Sequence, residues 1–106
     1  MICTFHPAAE AEHLESVAYF ESRKAGLGAS YLADADRALD SITAAPQRYP
    51  VVQPPDIRSI RLARFPFSIL YRASGDIVLV LAIAHARRRP LYWLGRLQSG
   101  RPSEEG

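Results

Sequence analysis

The sequence contains little that would suggest a secreted or membrane protein. It has one cysteine, Cys3, so it cannot form an internal disulfide and gives no sign of an oxidising compartment. The longest apolar run, Ile77–Ala84, has eight residues, whereas a membrane-spanning helix needs about 20. The first residues lack the basic-then-apolar layout of a signal peptide. We therefore expect a cytoplasmic protein that does not associate with membranes.

The motifs of several common active sites are also missing. Gly26 and Gly28 are not followed by the Lys-Ser/Thr of a phosphate-binding loop, and they interrupt helical patterns. His6, His13 and His85 are scattered, and their spacing with the lone cysteine does not match a usual metal site. The sequence has no Gly-x-Ser-x-Gly nucleophile turn. We expect neither a metal nor an organic cofactor.

The length of 106 residues corresponds to one domain. Charge is distributed unevenly along it. Residues 1–56 carry four Lys/Arg and eight Asp/Glu, whereas residues 57–106 carry nine Arg and three Asp/Glu. Arginine binds phosphates and carboxylates through its planar fork. The second half is therefore expected to contact an acidic partner, either nucleic acid or protein. The alternative, that these arginines only solvate a surface, stays open at this point.

Two amphipathic helices are predicted over residues 8–24 and 29–44. In the first, Leu14 and Val17 belong to the stripe expected to be buried, and in the second Tyr31 and Leu39 recur at helical spacing. The polar face of the second helix is assigned to Asp34, Asp36, Arg37 and Asp40. The short break between the helices predicts an antiparallel hairpin.

The remaining elements are predicted to be strands. A strand at residues 2–6 precedes the helices, and strands at 57–65, 67–73 and 77–84 form an antiparallel meander. Four prolines make residues 45–56 a stiff connecting loop. A short C-terminal element completes a single domain over 1–97, and 98–106 is expected to be a flexible polar tail. The fold class is α+β, a two-layer sandwich with the hairpin on one face of the sheet.

The segment after the last strand carries the chemistry-bearing side chains. His85 can exchange a proton near neutral pH, and Arg87, Arg88 and Arg89 can hold phosphates. An aromatic pair, Tyr92-Trp93, follows and can stack on bases or fill an apolar pocket. For Trp93 the favoured interpretation is packing on the core. If the strand persists that far, Arg87 and Arg89 point one way and Arg88 the other. We expect Arg88 to fold against the body and Arg87 to face a target.

The order and spacing of several motifs resemble the RelE/ParE superfamily of toxins from bacterial type II toxin–antitoxin (plasmid stabilisation) systems. The resemblance covers about residues 2–94. Its motifs are Phe5-His6-Pro7-Ala8-Ala9, Leu27-Gly28, Tyr31-Leu32, Ile42, Pro46, Pro50, Arg58, Phe65–Arg72 and Ala84–Trp93.

The resemblance implies one of two growth-inhibiting activities. RelE-like members are metal-independent ribonucleases that cut mRNA on the ribosome, whereas ParE-like members inhibit DNA gyrase without hydrolysis. Where many nucleases carry a cation, this sequence has Ser68 and Ala86. The ParE-like activity is therefore favoured, and the ribosome-dependent endonuclease is the alternative. A third alternative is an inactive or repurposed binding module.

The resemblance also implies a cognate antitoxin, and either a homodimer or a toxin–antitoxin hetero-oligomer is conceivable. The candidate residues form three sets. Catalytic residues, if the protein is a nuclease, are His85, Arg88, Tyr92 and Arg61; target-binding residues are Arg72, Arg87, Arg89, Tyr92 and Trp93; antitoxin-binding residues are Leu14, Tyr31 and Leu39.

Overall fold

The computed structural model describes residues 1–99. Two long helices are followed by most of a five-stranded sheet. The elements are β1 (Ile2–Phe5), α1 (Pro7–Arg23), α2 (Leu27–Ala44), β2 (Val51–Gln53), β3 (Ile57–Arg61), β4 (Phe67–Ser74), β5 (Ile77–His85) and α3 (Arg96–Ser99).

The sheet has the strand order β1-β5-β4-β3-β2, and the α1–α2 hairpin covers one face. The strands β2 to β5 pair antiparallel in sequence order, whereas β1 pairs parallel to β5. The α+β two-layer architecture predicted from the sequence is confirmed. Because β1 lies on the far side of β5, the longest apolar strand is placed inside the sheet.

Apolar residues of β5 are covered on both faces, as its unbroken apolar sequence predicts. Val78, Val80 and Ile83 belong to the core beneath the helices. Leu81 and Ala82 belong to a second cluster on the opposite face, which the C-terminal segment covers. A register shift at this point, where Leu70 pairs with Ala82 and Tyr71 with Val80, marks a bulge in β5.

A short strand lies inside the proline-rich stretch that the sequence predicted as a loop. The strand β2 follows Pro50, ends before Pro54, and exposes Val51 and Val52. Proline is tolerated at the ends of an edge strand because no neighbouring strand needs its missing N–H. The prediction of a plain loop over 45–56 was therefore wrong for these three residues, and the predicted meander gains one edge strand.

The strand predicted over 57–65 ends at Arg61, and a buried carboxylate explains the early end. Asp34 accepts hydrogen bonds from the Arg64 and Phe65 backbone N–H groups, at 2.8 and 3.0 Å. These contacts fold the chain into a turn before β4 begins. The assignment of Asp34 to the solvent-facing side of α2 was wrong, since Asp34 is 2% exposed.

The first helix buries less of its apolar stripe than its sequence predicts. Leu14 is 61% exposed, whereas Val17 and Phe20 pack partly buried against the core. The first helix also meets α2 closely at Gly28, where an added Cβ would lie 2.9 Å from the Val17 carbonyl oxygen. The predicted burial of Leu14 was wrong, because the side of α1 that faces the core carries Ala9, Val17 and Phe20.

Within residues 1–99 no helix is long and apolar enough to cross a membrane. The predicted polar tail begins inside α3, whose backbone runs to Ser99. The rest of that tail, residues 100–106, lies outside the described residues.

Candidate functional site

The edge of β5 changes partner half-way along the strand. The strand β1 pairs with β5 only as far as Phe5, which lies opposite Val80. The chain then turns at His6, whose Nδ1 accepts from the Ala8 N–H at 3.0 Å and caps α1. Pro7 is suited to the first helical turn, where its missing N–H costs nothing. From Leu81 onward, the backbone N–H and C=O groups on the outer edge of β5 have no partner strand within residues 1–99, so side chains must supply their hydrogen bonds.

Glu12 and Arg96 supply those side chains. A Glu12 carboxylate oxygen accepts from the Ile83 N–H at 3.0 Å, and the Arg96 guanidinium donates to the Leu81 carbonyl at 3.0 Å. The same two side chains bind each other through two hydrogen bonds of 2.9 and 2.8 Å. This bidentate pair joins α1, β5 and the start of α3.

Two further side chains converge on the Glu12 carboxylate. The Tyr92 hydroxyl donates to it at 2.7 Å, and the Arg88 guanidinium lies 3.9 Å away. Arg88 also stacks on the Tyr92 ring, with its guanidinium carbon 3.7 Å from the ring centroid. We call Glu12, Arg88, Tyr92 and Arg96 the Glu12 cluster.

The contacts within the cluster change the pKa values of Glu12, Tyr92 and Arg96. Burial alone would raise the Glu12 pKa, but hydrogen bonds from Arg96, Tyr92 and the Ile83 N–H outweigh it and hold the pKa below its usual value. Burial and the hydrogen bond to Glu12 raise the pKa of Tyr92. Its bonds to Glu12 likewise raise the pKa of Arg96. At neutral pH the cluster therefore contains a carboxylate, a neutral phenol and two guanidinium ions.

A pocket of about 420 Å³ opens beside the Glu12 cluster, between α1 and the ends of β4 and β5. Its wall on α1 is part acidic and part aromatic, and its floor comes from the sheet. The lining residues are Glu12, Glu15, Ser16, Tyr19, Phe20, Pro66, Phe67, Ile83, His85 and Arg88.

His85 closes the far end of this pocket. Its ring meets the Phe67 ring edge-on, with centroids 5.0 Å apart. Its Nδ1 accepts from the Arg87 backbone N–H at 3.0 Å, which fixes the turn after β5. That bond places the proton of the neutral ring on Nε2, because Nδ1 must be unprotonated to accept.

The three consecutive arginines differ in their surroundings. Arg88 folds back on Tyr92 and Glu12, as expected, but strand alternation is not the cause, because β5 ends at His85 and these arginines lie in a turn. Arg87 and Arg89 are exposed, and within residues 1–99 neither side chain has an ion pair or an aromatic partner. The turn thus presents two uncompensated positive charges to solvent.

Two other cations from the candidate sets lie away from this pocket. Arg61 is exposed at the end of β3, opposite Ser68, and borders a cavity of about 230 Å³ beside Asp34. Arg72 is held by Asp56, at 3.0 Å between Nε and the carboxylate. The structure therefore brings together His85, Arg88 and Tyr92, but not Arg61 or Arg72.

Two residues predicted to meet partners are buried. Trp93 is 3% exposed within the cluster on the outer face of the sheet, and Tyr31 is 0% exposed. The Tyr31 hydroxyl lies 3.0 Å from His13 Nδ1, and burial raises its pKa to about 12. The listing of Tyr31 and Trp93 among partner-binding residues was therefore wrong, whereas the favoured interpretation of Trp93 as a core residue is confirmed. Of the other antitoxin candidates, Leu14 is exposed and Leu39 packs partly buried against the core.

A sequence profile described as the ParE toxin of the type II toxin–antitoxin system parDE matches residues 4–90. The chain belongs to the ParE toxin family. The family assignment expected from the motifs is confirmed, and with it the prediction of a type II toxin. No curated protein sequence matches the chain.

Solved structures of this superfamily share the fold. A chain of the chromosomal ParDE toxin–antitoxin system from P. aeruginosa superposes with a TM-score of 0.69 at 19% identity, covering 82% of this chain and 97% of its own. The isolated E. coli RelE toxin superposes with a TM-score of 0.61, also at 19% identity, covering 92% and 97%. The ParE-family chain thus shares its fold with both of these structures.

Sequence reasoning missed the residue at the centre of this ParE-family site. Glu12 read as an acidic residue in the first turn of a helix, where it favours the helix dipole. Arg96, inside the short C-terminal element, was given no role from the sequence. Neither position shows a local signal for pairing with the other, because their contact depends on where β1 ends. In residues 1–99 no cluster of His, Cys, Asp and Glu could hold a metal ion.

Proposed function

We propose that this protein is a ParE-like toxin that stops growth by binding its target without hydrolysing RNA, with DNA gyrase as the target. A cognate antitoxin neutralises it. The ParE-family match supports the toxin class, and the Glu12 cluster is the observation that favours the non-hydrolytic activity over RNA cleavage.

The Glu12 carboxylate binds the cations that lie nearest to His85 and Tyr92, the candidate proton-transfer residues. Arg96 binds it in a bidentate pair, and Arg88 lies against it. A negative phosphate approaching these guanidinium groups would meet a carboxylate that already holds them. Both guanidinium groups therefore already have a carboxylate partner inside the protein. The negative charge of Glu12 also disfavours the binding of a scissile phosphate at this place.

The candidate proton-transfer groups also fit hydrolysis poorly. A general base needs a pKa near the working pH. The Tyr92 hydroxyl has a raised pKa and donates its proton to Glu12, which stabilises the neutral phenol. His85 Nδ1 is engaged by the Arg87 N–H. These contacts support a non-hydrolytic activity for the ParE-family chain.

The exposed cations of the turn after β5 fit a protein target. Arg87 and Arg89 flank Arg88 on a turn fixed by His85 and by the cluster. A basic, well-positioned turn suits an acidic surface, because its shape is set before binding. We therefore assign target contact to Arg87 and Arg89.

One pair of assays tests this proposal. Purified protein is added to E. coli DNA gyrase with relaxed plasmid, and separately to a translation extract with a reporter mRNA. Inhibition of supercoiling with intact mRNA is expected, and it should vanish in the Arg87→Ala/Arg89→Ala variant. An Arg48→Ala variant, altered at an exposed arginine remote from this turn, is the control.

The opposite pattern would overturn the proposal in favour of the RelE-like alternative. In that case the mRNA would show discrete cuts in the ribosomal A site, and supercoiling would be unchanged. His85→Ala and Tyr92→Phe should then each slow cleavage by about 100- to 10,000-fold. If the protein neither inhibits supercoiling nor cleaves mRNA, the result would support a repurposed binding module.

A further inference from the structure

The connection between β3 and β4 brings two more exposed arginines beside the turn after β5. The Ala86 N–H donates to the Pro66 carbonyl at 2.8 Å, so this connection and the turn lie against each other at one end of the sheet. Arg61 ends β3 and Arg64 lies in the connection, and within residues 1–99 neither side chain has an ion pair or an aromatic partner. In this part of the chain the end of the sheet therefore presents uncompensated positive charges from Arg61, Arg64, Arg87 and Arg89.

The buried carboxylate under the β3–β4 connection, Asp34, holds neither of these arginine side chains. It accepts hydrogen bonds from the backbone N–H groups of Arg64 and Phe65, at 2.8 and 3.0 Å. Its ion pair, at 3.5 Å, is with Arg37 on the same helix. Because Asp34 is 2% exposed, an approaching ligand meets guanidinium groups and not the carboxylate. The side chains of Arg61 and Arg64 are thus available to an anion.

The β3–β4 connection offers little apolar surface to a protein partner. Leu62 is 4% exposed and Phe65 packs partly buried against the core, which leaves the two arginines with the small residues Ala63 and Pro66. Protein interfaces are anchored by aromatic and large apolar side chains. The segment after β5 has such a side chain in Leu91, which is 43% exposed. The β3–β4 connection is better suited to the phosphates of a nucleic acid, where charge dominates affinity.

The aromatic rings near these arginines are covered, which favours a duplex over a single strand. Trp93 is 3% exposed, and the Arg88 guanidinium carbon lies 3.7 Å from the centroid of the Tyr92 ring. Phe65 packs against the core. Proteins that bind single-stranded nucleic acid stack its bases on such rings, whereas contacts to a duplex are made largely to its phosphates. The exposed arginines therefore fit double-stranded DNA better than unpaired RNA.

The cavity of about 230 Å³ beside Asp34 gives one phosphate a defined position. Arg61 from β3 and Arg37 from α2 line it, together with Ser41, which lies one helical turn beyond Arg37. Guanidinium groups and hydroxyls donate hydrogen bonds, which phosphate oxygens accept. Arg64, outside the cavity and exposed, can supply a second phosphate contact.

We infer that Arg61 and Arg64 bind the phosphate backbone of double-stranded DNA held by gyrase, while Arg87 and Arg89 contact the enzyme itself. The inference rests on the proposed function, because gyrase is the protein that brings DNA to this surface. The contact is made to phosphates, so it does not depend on the DNA sequence. The toxin accordingly binds gyrase that carries DNA more tightly than gyrase alone.

The affinity of the toxin for gyrase with and without DNA tests this contact. Fluorescently labelled toxin is titrated with E. coli gyrase alone and with gyrase carrying a linear DNA duplex. Wild type should bind the second about tenfold more tightly at low salt, and this gain should shrink as salt is added. Arg61→Ala/Arg64→Ala should lose the gain and keep its affinity for gyrase alone. Arg61→Lys/Arg64→Lys, which keeps both charges, should retain most of the gain.

Arg48→Glu is the charge-matched control, since it lowers the net charge by the same amount at an exposed position outside this end of the sheet, and it should keep the wild-type gain. Melting temperatures show that each variant folds.

The outcomes separate this inference from the proposed function. If wild type neither binds gyrase nor inhibits supercoiling, both are overturned. If it inhibits gyrase but binds both forms equally, or if the double alanine variant keeps the gain, only the DNA contact is overturned. An equal loss in Arg48→Glu would assign the gain to net charge and overturn the contact. Weaker binding of the double alanine variant to gyrase alone would assign Arg61 and Arg64 to a protein surface instead.

Discussion

The Tyr92 hydroxyl donates to the Glu12 carboxylate at 2.7 Å, across 80 positions of the sequence. With Arg96 on the same carboxylate, this contact fastens the C-terminal segment to α1 and to the edge of β5. The apolar side of that segment is buried too, with Trp93 packed on the outer face of the sheet. The following predictions address these contacts and the surfaces around them.

Glu12→Gln should lower the free energy of unfolding by about 2 kcal/mol, because hydrogen bonds to a charged group contribute about 1.5–3 kcal/mol. Urea unfolding followed by Trp93 fluorescence measures it. Glu10→Gln, an exposed change on the same helix, should alter stability by less than about 0.5 kcal/mol. The double variant Glu12→Gln/Arg96→Met should lose less than the sum of its single changes, since neither buried group is left without its partner. Additive losses would argue against direct coupling.

Acid should remove part of this stabilisation. The Glu12 pKa is lowered in the folded state, so the unfolded chain binds the proton more readily. The contribution is fully present above the unfolded value of about 4.3 and is lost as the pH falls through the lowered folded value. Unfolding measured between pH 7 and pH 3 should show a smaller loss for Glu12→Gln than for wild type. Parallel pH curves for the two proteins would contradict this assignment.

Asp34→Ala should destabilise the protein by about 2–3 kcal/mol, because it leaves the Arg64 and Phe65 N–H groups without their acceptor. Asp34→Asn keeps an acceptor oxygen and should recover part of the loss. Thermal unfolding of both variants provides the comparison. A change as small as that of the exposed Asp36→Ala would show that the turn before β4 does not depend on this carboxylate.

Alanine substitutions at the three consecutive arginines should differ in their effects on melting temperature and on growth inhibition. Arg87→Ala should leave the melting temperature nearly unchanged, since exposed ion pairs contribute about 0–1 kcal/mol, while growth inhibition disappears. Arg88→Ala removes the guanidinium stacked on Tyr92 and should lower the melting temperature slightly. Melting curves and growth after induction report the two effects. Intact growth inhibition in all three single variants, Arg89→Ala included, would remove this turn from the target surface.

Leu14→Asp should leave the fold intact, because the side chain is 61% exposed, and should weaken antitoxin binding if the antitoxin covers this part of α1. Leu39→Asp places a charge against the core and is expected to unfold the protein. Circular dichroism separates the two cases before affinity is measured. Undiminished affinity of Leu14→Asp would exclude this face of α1 from the contact.

The sequence by itself determined the elements whose signals are local. Helical spacing predicted both helices, and the unbroken apolar run of Ile77–Ala84 predicted a strand covered on two faces. Each of these follows from a few neighbouring residues, so it can be read without knowing the rest of the chain.

Only the tertiary structure decided what Glu12, Asp34 and Leu14 do. An acidic residue in a helix has the same local sequence pattern whether its carboxylate faces water or accepts hydrogen bonds from the backbone of a distant segment. Glu12 meets Arg96 because β1 ends at Phe5 and leaves the edge of β5 to side chains. Asp34 is buried because the chain turns over it after Arg61, and Leu14 is exposed because α1 packs on the core through Ala9, Val17 and Phe20. Such contacts join residues far apart in the sequence, and their identity depends on the register of elements that local patterns do not specify.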